Sequence, residues 1–241
     1  MDEVIDQSGA DPKVVDLSSG LPVKLAGDEE ESPNDPHWWH DPENAIAAVT
    51  EISTAFAQAE PDKTATFDAN ATAYIAKLQA LEERVRACVD AVPTAQRKLV
   101  TDHDALNYFA QRYGIEVVGA VIPSQSTQAQ SSAGEVADLV QTIRAEDVKA
   151  VFPESSVNEK LARQIAQQTG AQVGQELYAD TLGPSDSDGA TYLPPSSTTP
   201  TRSSRASPAA RKDVGMAELV HAHGLSGGYG AARDLGPGLH A

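Results

Sequence analysis

The sequence predicts an α/β fold: a four-stranded parallel sheet with its helices, joined by one long helix to an earlier α/β lobe. Two observations carry this. Between residues 98 and 178 four short apolar runs alternate with three amphipathic stretches, the order that gives a parallel, right-handed α/β lobe. Between residues 63 and 92 one helical period continues without a break. At 1.5 Å per residue, about 28 residues reach roughly 40 Å, longer than a small lobe is wide, which suits a strut between two lobes.

Taken in order, Val4 and Ile5 ahead of Gly9 read as the last turns of a helix, and Val14–Leu17 as a short strand. Residues 26–36 read as an acidic loop. Asp41-Pro42 is a cap and first-turn pair, and Ile46, Val49, Ile52 and Phe56 recur at helical spacing as one apolar face. After Glu60-Pro61-Asp62, the long helix shows Tyr74, Ile75, Leu78, Leu81, Val85, Cys88 and Val89 on its apolar side. Beyond Pro93 the expected strands are Lys98–Thr101, Ile115–Ile122, Val148–Phe152 and Val173–Tyr178. The helices between them are Asp104–Tyr113, Ser132–Ala145 and Val157–Thr169. The expected divisions are therefore a partial N-terminal lobe over 1–62, the interlobe helix over 63–92, a C-terminal α/β lobe over 93–193 and a disordered tail over 194–241.

Composition narrows the function classes. The 241 residues hold 18 Lys plus Arg against 35 Asp plus Glu, a formal charge of -17, which is the wrong sign for a nucleic-acid partner. Acidity suits a protein that handles cations, although acidic surfaces are common. Cys88 is the only cysteine, so the chain has no internal disulfide and no thiolate metal cluster; its periodic surroundings point to a small buried apolar role. No run approaches the ~18 apolar residues of a membrane span, and no signal-peptide pattern opens the chain.

Three segments place metal-competent side chains where an α/β lobe exposes its loops. In DPHWWHDP (35–42), His37 and His40 lie between two Asp-Pro pairs and beside Trp38 and Trp39; the loop is either a stiffened ligand segment or a solvated surface. In VTDHDALNYFA, His103 follows a strand and precedes a helix, with Asp102 or Asp104 an alternative explanation as the helix cap. In ELYADTLG, Asp180 follows a strand, as a site carboxylate or an ordinary turn residue. Glu154 in VFPESS stands at another strand end, either hydrogen-bonding a ligating imidazole or serving a turn. Imidazoles and carboxylates without thiolate suit zinc or manganese. No HExxH, GxSxG or phosphate loop supports catalysis.

With DPHWWHDP, FDANATAYIAKLQALEERV, VTDHDALNYFAQRYGIEVVG, VKAVFPESSVNEKLA and LYADTLGPSDSDGATYL in this order, residues 1–193 resemble the zinc- and manganese-binding solute receptors of bacterial ABC transporters. The resemblance implies two α/β lobes joined by a long helix, with metal bound between them by His37, His103 and Asp180. His40 stands at a position the family fills variably and is left out of that set. Manganese-selective members tend to carry glutamate where His103 stands, which favours zinc as the transported ion. The implied partners are the metal and a membrane permease, the chain acting as a monomer outside the cytoplasm, with no reaction catalysed. Neutral histidines are needed for capture, so affinity is expected to fall below about pH 6.5.

The sequence departs from the family pattern at both ends. A further histidine ligand, the first strands and an export signal would lie upstream of Met1, so the expectation is three ligands of four. The alternatives are a three-ligand zinc hydrolase, or a truncated receptor without function. At the other end PPSSTTPTRSSRASP stands where the family has an amphipathic helix. Read in another frame with common codons, the stretch from Pro195 permits AIVDNTDAIVAGFA, so a frameshifted helix is expected there. MAELVHAHGLSGGYG, from Met216, resembles the start of a transporter ATPase, and His221 and His223 are expected to be bystanders.

Overall fold

The computed structural model describes residues 7, 9, 12–29, 32–187 and 189–193. The helix end expected at Val4 and Ile5, and the tail from residue 194 with its reading-frame expectation, lie outside the described residues.

Residues 12–16 are irregular rather than a strand. The Asp16 carboxylate accepts from the Ser18 backbone N–H at 2.8 Å and its hydroxyl at 2.7 Å, which turns the chain where a strand would continue. The acidic stretch is not a loop but an antiparallel hairpin of β1 (Ala26–Glu29) and β2 (Ser32–Asn34). It docks on the loop after a later strand: the Gln125 N–H donates to Asp28 Oδ2 at 2.7 Å and the Asp28 N–H to Gln125 Oε1 at 3.2 Å.

Trp38–His40 form a single 3-10 turn, after which α1 (Pro42–Ala59) starts with Pro42 in its first turn and Asp41 as cap, accepting from the Glu43 N–H at 2.8 Å. Its buried residues include Asn44, Ala45, Ala48 and Ser53, not the stripe expected from periodicity. Ile52 is 38% and Phe56 54% exposed. Small residues let α1 approach its neighbours closely: Asn44 brackets Val23 by donating to its carbonyl and accepting from its N–H, and the Ser53 hydroxyl donates to Asp68.

The long helix, α2, runs over Thr64–Asp90, and buries Leu78, Val85, Cys88 and Val89. From it the chain enters β3 (Lys98–His103), α3 (Asn107–Tyr113), β4 (Glu116–Ile122), α4 (Ala133–Ala145), β5 (Ala150–Val151), α5 (Lys160–Thr169) and β6 (Gln172–Val173). β3 pairs in parallel with β4, and β5 with β6; parallel bridges Thr101–Phe152 and Glu154–Leu177 extend the pairing, so the strand order is β4-β3-β5-β6. The expected four-stranded parallel sheet is present, with β5 and β6 short and their pairing carried on by the Gly174 N–H to the Val151 carbonyl and the Leu177 N–H to the Pro153 carbonyl, each at 2.8 Å.

Alternation along β3 sorts the core onto two faces. Leu99 packs with Val85 and Val89 of α2, Val92 just after it, Tyr113 of α3, and Phe152. Val100 turns to the other face, with Leu139 and Ile143 of α4 and Ile165 of α5. A sheet buried on both sides is the pattern of parallel strands covered by crossover helices. Cys88 sits in the first of these cores, as its spacing suggests.

Arg112 on α3 ties three elements. Its Nη2 lies 2.5 Å and its Nε 3.1 Å from Glu82 Oε1 on α2; Nη1 pairs with Glu43, and Nε lies 3.6 Å from the buried Asp41. Among the described residues no helix is long and apolar enough to cross a membrane.

Candidate metal centre

The connection from β3 to β4 leaves the sheet on one side, and the next one, to β5, returns to the other side of β3. Ligands of open α/β sheets bind beyond the carboxyl ends of strands at such a reversal. His103 closes β3 there, and Glu154 follows β5. His103 is fully buried, and neither Asp102 nor Asp104 caps α3; the helix starts later than expected, at Asn107, with Leu106 in the cap position. Asp102 instead accepts from the Glu154 N–H at 2.8 Å, and its burial lifts its carboxyl to about 6.

The structure brings His37, His103 and Asp180 together. One ligand-competent atom from each lies within 4.8 Å of the others. Asp180 bridges the two rings, with Oδ1 3.6 Å from His37 Nε2 and Oδ2 3.5 Å from His103 Nε2. The imidazoles meet edge to face, with ring centroids 5.2 Å apart. They open on a cavity of about 300 Å³, which the Gln125–Gln128 loop and Asp28 also line.

Each ring has a buried carboxylate behind it. Asp35 Oδ1 is 2.7 Å from His37 Nδ1 and also accepts the His37 N–H at 2.9 Å. Asp35 is held in turn by the Asn107 amide at 3.3 Å, while its carbonyl accepts from the Tyr108 hydroxyl at 3.1 Å. Glu154 Oε2 is 2.5 Å from His103 Nδ1, and its Oε1 accepts the His103 N–H at 3.0 Å. A carboxylate at Nδ1 draws the proton to that nitrogen and leaves the Nε2 lone pair for an electrophile. In both rings Nε2 faces Asp180, and His103 Nε2 is buried without a hydrogen-bond partner.

Burial works against a charged His103, but the carboxylates of Asp180 and Glu154 outweigh it and hold the imidazolium up to about 10. The same pairing keeps Asp180 below the usual carboxylate range. Two imidazole nitrogens and a carboxylate oxygen, converging at the cavity, can bind a divalent transition metal once the proton leaves. Nothing in the sequence pattern marked Asp35 as the partner of His37. His40 is not one of the converging donors: its buried Nε2 has no partner, and burial pushes its imidazole down to about 4.

The sequence profile described as ZnuA, zinc-uptake complex component A periplasmic, matches residues 1–195. The chain belongs to this family. The ZnuA family comprises substrate-binding transport proteins rather than enzymes. The manganese-binding lipoprotein MntA of Halalkalibacterium halodurans is 30% identical over 190 residues, which are 78% of this chain and 61% of its own length. The iron-binding protein YfeA of Yersinia pestis is 34% identical over 158 residues, 66% of this chain and 50% of its own. The periplasmic zinc binding protein TroA from Treponema pallidum superposes with a TM-score of 0.70 at 30% identity, covering 79% of this chain and 70% of that one. The chain thus spans 61% and 50% of the length of the two curated relatives, and shares with TroA the α/β architecture of a two-lobed ZnuA-type protein.

Proposed function

We propose that the protein captures a divalent transition-metal ion at His37, His103 and Asp180 outside the cytoplasm and delivers it to the permease of an ABC transporter. The convergence of the three donors at the sheet reversal, each imidazole backed by a carboxylate, is the observation that carries this reading. The residues divide as the family fold suggests: those up to 62 belong to the first lobe, 63–92 to the connecting helix and 93–193 to the second lobe. Delivery then needs only that the lobes separate and the donors part, with the chain acting as a monomer. No covalent step is involved.

Zinc is the favoured ion. The relatives carry manganese, iron and zinc in their names. Two imidazoles with a single carboxylate suit zinc better than manganese, whose preference is for more oxygen donors. Calorimetric titration of the chelator-stripped protein with zinc and with manganese tests both statements. One ion per chain is expected, zinc the tighter, with H37A, H103A and D180A each weakening it by at least tenfold. Variants that bind zinc like the wild type would overturn the assignment, and tighter manganese binding would overturn the preference.

A further inference from the structure

We infer that Trp39 is a positioning residue for the metal site, an indole bolt that sets the distance between the His37 segment and the Asp180 loop. The inference rests on the metal reading above. The Trp39 ring packs edge-on to the His37 ring, with centroids 5.6 Å apart at 67°. Its indole N–H donates at 2.9 Å to the carbonyl of Ala179, the buried residue immediately before Asp180. One side chain therefore touches the ring of one donor and the main chain next to another, 140 residues away in sequence. The Trp39 carbonyl is fastened as well, accepting from the Tyr192 hydroxyl at 2.6 Å.

The Asp180 loop is built to be steered from that point. Tyr178 anchors it from within: a Cβ at Gly189 would lie 2.2 Å from Tyr178 Cδ2, so the loop closes tightly on the ring. Asp180 itself is the least buried donor, its side chain 24% exposed against 4% for His37. Tyr178 and Gly189 hold the far part of the loop, and the indole bond holds its Ala179 end, one residue from the carboxylate. Trp38, its neighbour, packs against Trp39 at 6.0 Å and offers a control with the same chemistry.

The test compares wild type, W39F, W38F and Y192F by zinc competition against a chelating dye. It adds the absorption spectrum of the cobalt(II)-loaded protein and thermal unfolding without metal. W39F keeps an aromatic ring beside His37 and loses the N–H donor together with the second ring of the indole. Zinc affinity is expected to fall roughly tenfold, the scale of losing an outer-shell partner, with an altered cobalt spectrum and little change in metal-free unfolding. W38F is expected to keep wild-type affinity and spectrum. Y192F, which loosens Trp39 from its other side and leaves both indoles in place, is expected to shift affinity the same way by less. W39F with wild-type affinity and spectrum overturns the inference, as does equal weakening in W38F and W39F. Should W39F unfold, Y192F with unchanged affinity and spectrum overturns it. Wild-type protein that binds neither zinc nor cobalt overturns the metal reading itself, and this inference with it.

Discussion

Glu154 approaches His103 Nδ1 to 2.5 Å while Asp180 faces Nε2 of the same ring, so the imidazole lies between two carboxylates of different duty. Glu154 is wholly buried and accepts the His103 backbone N–H, which leaves it no freedom to serve as a donor to the ion. In the proposed metal site it fixes the tautomer and raises the basicity of Nε2. E154Q preserves shape and can still accept that N–H, but it removes the charge. Zinc affinity is expected to fall about 10- to 100-fold, the usual cost of losing an outer partner, with the unfolding midpoint of the metal-free protein changed far less. Dye competition on folded E154Q checks this; affinity equal to wild type would show that Glu154 serves the turn alone.

Metal capture should release a proton. With His103 held near 10 in the metal-free site, the ring is charged at neutral pH, and the ion must displace that proton. Apparent affinity is therefore expected to climb with pH through the neutral range and level off only near pH 10. An unperturbed histidine would put that plateau just above pH 6.5, so the carboxylates of Asp180 and Glu154 move it well upward. For the metal-free fold the sign is opposite. The folded pKa lies above the unfolded one, so this pair's stabilisation is complete below about pH 6.5 and is lost as pH rises through about 10. Zinc titrations at pH 7 in buffers of different ionisation enthalpy count the proton directly, and a count of zero would contradict the charged ring.

The sheet was legible because its signals are local. Leu99 and Val100 alternate, Gly114 and Gly170 end their helices, and each apolar run is short enough to admit only a strand. His103 and Asp180 were legible for the same reason, as polar residues just past strand ends. The α1 face was misread because periodicity reports which residues are apolar, not which neighbour covers them. Ala45 and Ala48 are buried while Ile52 and Phe56 are not. The hairpin at 26–34 was missed because its strands are short, the first acidic, and held by a loop 97 residues on, at Gln125. Asp35 and the Trp39–Ala179 bond were invisible for the same reason: each acts through a partner that only folding supplies.

Arg112 should matter more to stability than its partly exposed position suggests. It is the cation nearest the buried Asp41 carboxylate at the start of α1, whose pKa burial has already raised. It also joins Glu43 and the α2 residue Glu82, linking the segment after His37 to the helix after His103. R112Q leaves Asp41 without its counter-charge and is expected to cost about 2–3 kcal/mol in urea unfolding, toward the low end for a broken buried pair because water reaches the guanidinium. R112K should recover part of this, since a single ammonium cannot reproduce the fork that contacts Glu82 through two nitrogens. A loss below about 0.5 kcal/mol would place the cluster among ordinary surface pairs.

His40 offers the sharpest contrast with His37, three residues away. Its Nε2 is buried without a partner, and burial, reinforced by the nearby His37, pushes its imidazole down to about 4. The sign follows directly. The unfolded chain takes up a proton near 6.5 and the folded one resists until about 4, so His40 costs stability progressively as pH falls through that window and nothing above it. H40L fills similar space without a polar atom to bury. It is expected to leave zinc affinity at pH 7.5 within a factor of about two, and to hold its unfolding midpoint better than wild type between pH 6.5 and 4. Urea unfolding across that range, paired with zinc titration, reads both effects at once. If H40L binds zinc tenfold more weakly, His40 belongs to the metal site and the three-donor assignment must become a four-donor one.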